Sequence, residues 1–74
     1  MTMTMQDILV FQTNWPNNID IMYSEKRGMT RAFVYLMKDG ELHRLLLTTK
    51  AFPTKDECRY ELGEFIERIL NTKI

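Results

Sequence analysis

Two side chains could carry covalent or acid–base chemistry in this chain, His43 and Cys58, each the single residue of its type. An imidazole titrates near neutrality and can move a proton during a reaction. A thiolate is a strong nucleophile where its surroundings favour the charged form. His43 falls in a strand-type segment where its expected cross-strand neighbour is Leu36, a setting for a structural or rim residue. Cys58 falls in the first turn of an expected helix, where the helix dipole can lower a thiol pKa. It also falls on the apolar arc of that helix, which makes it a buried, unreactive thiol. A structural zinc site needs about four Cys or His ligands, and His43 with Cys58 supplies two. Glu57, Glu61 and Glu64 line one helix surface with arginine nearby, the composition of a solvated face. No Cys-x-x-Cys, Gly-x-x-x-x-Gly-Lys, His-Glu-x-x-His or Gly-x-Ser-x-Gly segment occurs. A chain of 74 residues also leaves little room for a concave pocket. The expectation is a protein with no catalytic residue, no cofactor, no metal site and no small-molecule substrate.

The other chemistry in the sequence is recognition. Arg31, Phe33, Tyr35 and Arg44 are expected on one sheet face, and aromatic rings interleaved with arginine are the means by which open sheets stack single-stranded bases. Lys26 and Arg27 could add phosphate contacts. Against this, ten basic residues are balanced by ten acidic ones, whereas binding that depends on phosphate contacts goes with a basic excess.

These residues must be positioned by few elements. Residues 30–37 (TRAFVYLM) are rich in β-branched and aromatic types. Asp39-Gly40 follows, the preferred pair for a two-residue type I′ turn, and 41–49 (ELHRLLLTT) returns. Phe52-Pro53 stops the strand, since proline cannot donate to a ladder. Thr54 and Glu57 then form a T-x-x-E capping box. Cys58, Leu62, Phe65, Ile66, Ile69 and Leu70 share one arc of a helix, opposite Glu57, Glu61, Glu64, Glu67 and Arg68. Residues 19–24 (IDIMYS) alternate as a strand does, followed by the turn-like Glu25-Lys26-Arg27-Gly28. Residues 6–13 are ambiguous. Ile8, Val10 and Phe11 favour a strand, while Thr4-x-x-Asp7 allows a short helix; the strand is the preferred reading. The expected fold is a single α+β domain over 1–74, with 1–4 disordered. It has a small antiparallel meander of three to four strands and one C-terminal amphipathic helix on one face, in the order ββββα or, alternatively, αβββα.

A sheet with one solvated face should alternate apolar and polar residues. In regular register across Asp39-Gly40, Leu36 faces His43, Val34 faces Leu45 and Ala32 faces Leu47. On the opposite face Met37 meets Leu42, Tyr35 meets Arg44 and Phe33 meets Leu46. Both faces are mostly apolar, and one helix covers one face. Ala32, Val34, Leu36, Leu45 and Leu47 carry the smaller side chains that let a helix approach. Phe33, Tyr35, Met37, Leu42, Arg44 and Leu46 are therefore the candidate interface. Their cover could be Met5, Ile8 or Trp15 of the same chain, a second copy, or another partner; a bulge in the hairpin would exchange the faces.

Length points the same way. Small domains usually gain stability from disulfides, a metal or a partner subunit, and one cysteine excludes an internal disulfide, so a homodimer is expected. The longest apolar runs, 8–11 and 45–47, are far short of a membrane span. The Met1-Thr2-Met3-Thr4-Met5 start lacks a signal-peptide pattern. A lone thiol suits a reducing cytoplasm.

Two local resemblances bear on partners. The hairpin, Phe52-Pro53-Thr54-Lys55-x-Glu57 and the helix behind it resemble the three-stranded-sheet-plus-helix DNA-binding domains at the N-terminus of tyrosine-type phage integrases. That resemblance implies a sheet lying in a major groove, although this chain lacks the basic excess of those domains. With a helix over 6–13, the element order would match double-stranded-RNA-binding domains. The basic cluster at the start of their last helix corresponds here to Lys55 and Arg59, beside Asp56 and Glu57. The expected function is nonetheless a non-enzymatic binding or regulatory protein acting through protein–protein contacts. It would be an accessory inhibitor or adaptor of the kind carried by phages and mobile elements, with nucleic-acid binding through Arg31, Phe33, Tyr35 and Arg44 as the alternative.

Overall fold

The computed structural model describes residues 3–74. It has the order αβββα: α1 (Met5–Asn14), β1 (Ile19–Lys26), β2 (Met29–Lys38), β3 (Glu41–Thr48) and α2 (Lys55–Leu70). The fold is α+β, with three antiparallel strands ordered β1-β2-β3.

The preferred strand over 6–13 is thus replaced by a helix. The reason is local. Thr4 is the N-cap, and its hydroxyl accepts from the Asp7 N–H at 3.1 Å, satisfying a donor that a helix start otherwise leaves open. Ile8, Phe11 and Trp15 then repeat at helical spacing. Phe11 is fully buried, Ile8 and Trp15 pack against the core, and the Phe11 and Trp15 rings stack 5.3 Å apart. The expected disorder over 1–4 falls partly on residues 1 and 2, outside the described residues; Met3 packs on the core and Thr4 caps α1.

Two tight turns frame β2. Arg27-Gly28 and Asp39-Gly40 both have positive φ, 55° and 73° in the first and 54° and 79° in the second, the geometry of type I′ hairpin turns. β1 and β2 pair without interruption from Lys26↔Met29 to Ile19↔Leu36. β2 and β3 do not. The register starts at Lys38↔Glu41 and Met37↔Leu42, shifts to Leu36↔Arg44 and Tyr35↔Leu45, and shifts again to Val34↔Leu47 and Phe33↔Thr48. His43 and Leu46 are the two extra residues, so β3 carries two bulges in eight residues. The regular register expected across Asp39-Gly40 therefore holds only for the two pairs nearest the turn. Beyond β3 the ladder resumes at Thr30 and Phe52, which exchange backbone hydrogen bonds of 2.7 and 2.8 Å, until Pro53 ends it.

Both helices lie on the same side of the sheet. Phe11 of α1 joins Cys58, Leu62, Ile66 and Ile69 of α2, and Ala32, Val34, Leu46, Leu47 and Phe52, in one core. α2 opens on Thr54, whose hydroxyl accepts from the Glu57 N–H at 3.1 Å. Gln12 of α1 ties the two ends together: its Nε2 donates to the carbonyls of Ile69 and Thr72, both at 2.8 Å. Among the described residues, no helix is long and apolar enough to cross a membrane.

Candidate functional site

With both helices on one side, no helix among the described residues covers the other face of the sheet. Alternation along β2 sends Ala32, Val34 and Leu36 to the helices, and Met29, Arg31, Phe33, Tyr35 and Met37 to the open face. On β1, Met22 pairs with Phe33 and Asp20 with Tyr35. On β3, Leu42 pairs with Met37 and Leu45 with Tyr35. The open face is therefore a row of Met, Phe, Tyr and Leu side chains, with Met22 47% and Leu42 48% exposed. The same-chain cover that Met5, Ile8 or Trp15 could have supplied is spent elsewhere. Ile8 and Trp15 pack on the helix-side core, and Met5 is exposed on α1.

Of the six expected interface residues, the structure brings Phe33, Tyr35, Met37 and Leu42 together on this face. The bulges remove the other two. After the first shift Arg44 shares a face with Leu36, and its Nη2 donates to Asp7 Oδ1 of α1 at 2.8 Å. At the second shift Leu46 turns inward beside Leu47 and is 6% exposed, while Leu45, expected in the core, is 44% exposed. A bulge places two successive residues opposite one, so strict alternation fails there. Sequence reasoning also passed over Met22. Its signal was present, since it is the apolar residue between Asp20 and Ser24 on the side of 19–24 that otherwise reads as polar.

The face is electrically lopsided. At the Arg27-Gly28 end lies a hollow of about 440 Å³ lined by Ser24, Lys26, Arg27, Met29, Arg31, Phe33 and Ala51. It has three cations and no carboxylate. Among the described residues the ion pair present is Arg44–Asp7, and Lys26, Arg27 and Arg31 form none there. Arg31 makes only a long contact, Nη1 to the Thr49 carbonyl at 3.5 Å. At the other end stand Asp20, paired with Tyr35, and Asp39 in the turn.

The sheet edges differ from the face. On the free edge of β1 the Asp20 carboxylate accepts from the Ile21 N–H at 3.0 Å, and β3 is broken by its two bulges. Inserted charge and bulging are both means of blunting an edge against strand addition. The edges are defended and the face is not.

The groups considered for chemistry do not converge. Cys58 is fully buried, with its Sγ 3.8 Å from Thr49 Oγ1. Thr49 also bonds the backbone of Ala32, whereas His43 is exposed in the bulge beside Leu36 and Met37. The four-residue separation of Ala32 and Leu36 along β2 is roughly 13 Å. A smaller hollow of about 240 Å³, between the end of β3 and α2, is lined by Leu47, Thr49, Phe52, Leu62, Phe65 and Arg68 among others. Tyr23, on the helix side of β1, has its phenol pKa raised by burial first and by its electrostatic interaction with Cys58 second, with Arg59 opposing. The Lys55 ammonium sits 5.1 Å from the Tyr23 ring centre. Exposed Tyr60 is raised by the negative charge of Glu64.

Comparison with protein-family models, with curated proteins and with solved structures gave no match. The order αβββα is that of double-stranded-RNA-binding domains, but the start of α2 offers only Lys55, already over Tyr23, and Arg59, beside Asp56 and Glu57.

Proposed function

We propose that this chain is a non-enzymatic binding protein that acts through protein–protein contact, an accessory inhibitor or adaptor working in a reducing cytoplasm, and that the open sheet face is its contact surface. The observation that carries this reading is the row Met22, Phe33, Tyr35, Met37, Leu42 and Leu45, left without cover because both helices lie on the opposite side. Contiguous apolar surface beyond a few hundred Å² is uncommon on soluble monomers and usually marks a contact. Met and aromatic residues are also the types enriched at such contacts. The departure of Arg44 from this face favours protein over nucleic acid, since it removes one of the two arginines that would have alternated with the rings.

The test is a pair of variants, Phe33→Ser and Tyr35→Ser, each checked for an unchanged circular dichroism spectrum. Tagged wild type should retain partner chains from a nuclease-treated lysate, and both variants should lose them. If the variants retain the same partners as wild type, the contact lies elsewhere and the reading fails. If either variant unfolds, the face is an internal core element.

Nucleic-acid binding remains the second reading because the cationic hollow adjoins Phe33, with Tyr35 next along the strand. It requires oligonucleotide binding whose affinity falls steeply with salt.

A further inference from the structure

Resting on that reading of the open face, we infer that its occupant is a second copy of this chain. The two copies pack face to face and antiparallel, so that the Asp39-Gly40 tip of each enters the cationic hollow of the other.

The placement of charge decides the orientation. β2 is closed at one end by Arg27-Gly28 and at the other by Asp39-Gly40, two turns of the same positive-φ geometry and opposite charge. Phe33 lies midway between Arg27 and Asp39 along the chain, roughly 20 Å from each at strand spacing. A two-fold axis lying across the strands at Phe33 carries each end of the face onto the other end of the partner. Arg27, with Lys26 and Arg31 around the hollow, then meets the partner's Asp39, and the same contact is made twice. An axis running along the strands would instead set Lys26, Arg27 and Arg31 against their own copies, which like-charge repulsion forbids. The hollow has no carboxylate of its own, and the tip presents Asp39, while the neighbouring Lys38–Glu41 pair belongs to the helix side.

The rest of the face is self-complementary under the same operation. At the axis Met22 and Phe33 meet their own copies, as an isologous interface requires. Tyr35, two positions on, lies over the partner's Arg31, two positions back, where a guanidinium can stack on the ring. The formal net charge of zero leaves no long-range repulsion between copies. The blunted edges turn a second copy away from strand addition and toward the face. Three strands about 4.8 Å apart and about ten residues long give a footprint of roughly 450 Å² per copy. The total of about 900 Å² falls below the range of stable specific contacts and in that of weak ones, so the dimer dissociates on dilution.

The test uses charge exchange. Arg27→Asp and Asp39→Lys are made separately in the full chain. Arg27 itself shows that this turn geometry accommodates a long basic side chain, and Asp is favoured at positive φ. Mass is measured by sedimentation over a wide concentration range, with circular dichroism confirming the fold. Wild type should pass from monomer to dimer with rising concentration. Each variant alone should associate about tenfold more weakly or worse, because both of its turn contacts become like-charged. An equal mixture of the two should recover wild-type association, because both contacts are again opposite in sign. A wild type that stays monomeric at every concentration overturns the self-association but not the open-face reading, which the Phe33→Ser and Tyr35→Ser capture decides separately. A dimer that ignores both charge variants, or a mixture that does not recover, overturns the antiparallel arrangement. Salt-sensitive binding of a single-stranded oligonucleotide to the monomer, lost in Arg27→Asp, makes nucleic acid the occupant and overturns the inference.

Discussion

Leu45 and Leu46 are neighbours of identical chemistry that the second bulge of β3 sends to opposite sides of the sheet, which allows a test of the register itself. Replacing Leu46 by Ala removes three carbons from the core. At about 0.8 kcal/mol per buried carbon group the transfer loss is roughly 2.4 kcal/mol, and incomplete collapse of the cavity raises it to about 3 kcal/mol. The same change at Leu45, nearly half exposed, loses about half the transfer energy and leaves no closed cavity, costing about 1 kcal/mol. A domain of this length has a total stability on the order of 4–11 kcal/mol, so the first loss is a large share. With about 4–8 °C per kcal/mol for a domain of this size, Leu46→Ala should lower Tm by roughly 12–24 °C and Leu45→Ala by roughly 4–8 °C. Thermal and urea melts of both variants, run at the lowest workable concentration so that assembly contributes least, measure the difference. Equal losses, or a larger loss at Leu45, would show that β3 runs in regular register and that the open face has been drawn with the wrong residues.

Other expectations follow from single features. Because burial raises the Tyr23 phenol pKa, the folded state favours the neutral ring. This contribution is fully present below the ordinary tyrosine pKa and is lost as pH climbs through the raised value. Tyr23→Phe should therefore flatten the alkaline fall in stability, and an ultraviolet titration should lose one late-ionising tyrosine. Gly63 lies within α2 with open space where a side chain would stand, whereas Gly28 has a φ of 73°. Gly63→Ala should stabilise by about 0.5–1 kcal/mol, and Gly28→Ala should destabilise by about 1–2 kcal/mol, both read from urea melts. Cys58 should react with a thiol reagent at the rate of structural opening rather than at the rate of a free thiol; immediate labelling of the native protein would refute its burial.

The parts of the fold governed by local rules were legible in the residues. Asp39-Gly40, Pro53, the Thr54 cap and the apolar arc of α2 from Cys58 to Ile69 each state a backbone requirement within a few positions, and each stands where it was expected; Leu70, expected on the same arc, is exposed. Residues 6–13 were harder because Ile8, Val10 and Phe11 fit either period over so short a span. The Thr4 cap and the tertiary placement of Phe11 under α2 decide the matter, and only the cap is visible locally. The candidate face was half legible. Phe33, Tyr35, Met37 and Leu42 follow from alternation on β2 and from the turn, but Arg44 lies beyond the first bulge and Leu46 within the second, and no Gly or Pro announces either. What selects the bulges is long-range. They let both Leu46 and Leu47 join a core closed by a helix later in the chain, and they bring Arg44 to Asp7, thirty-seven positions earlier.

The two elements that cover the inner face of the sheet lie at opposite ends of the sequence, and this sets an order of events during synthesis. β1, β2 and β3 leave the ribosome after α1 and before α2, yet the core that Phe11, Val34 and Leu47 enter is completed by Leu62, Ile66 and Ile69. The Gln12 bonds to the carbonyls of Ile69 and Thr72 form at the same late point. Until those residues emerge, a nascent sheet would present apolar side chains on both of its surfaces, a state open to misassociation on crowded polysomes. Closure of this core therefore waits on Leu62, Ile66 and Ile69. A pause or truncation upstream of residue 62 leaves three strands without their inner cover, and such a fragment should depend on chaperones in a way the finished chain does not.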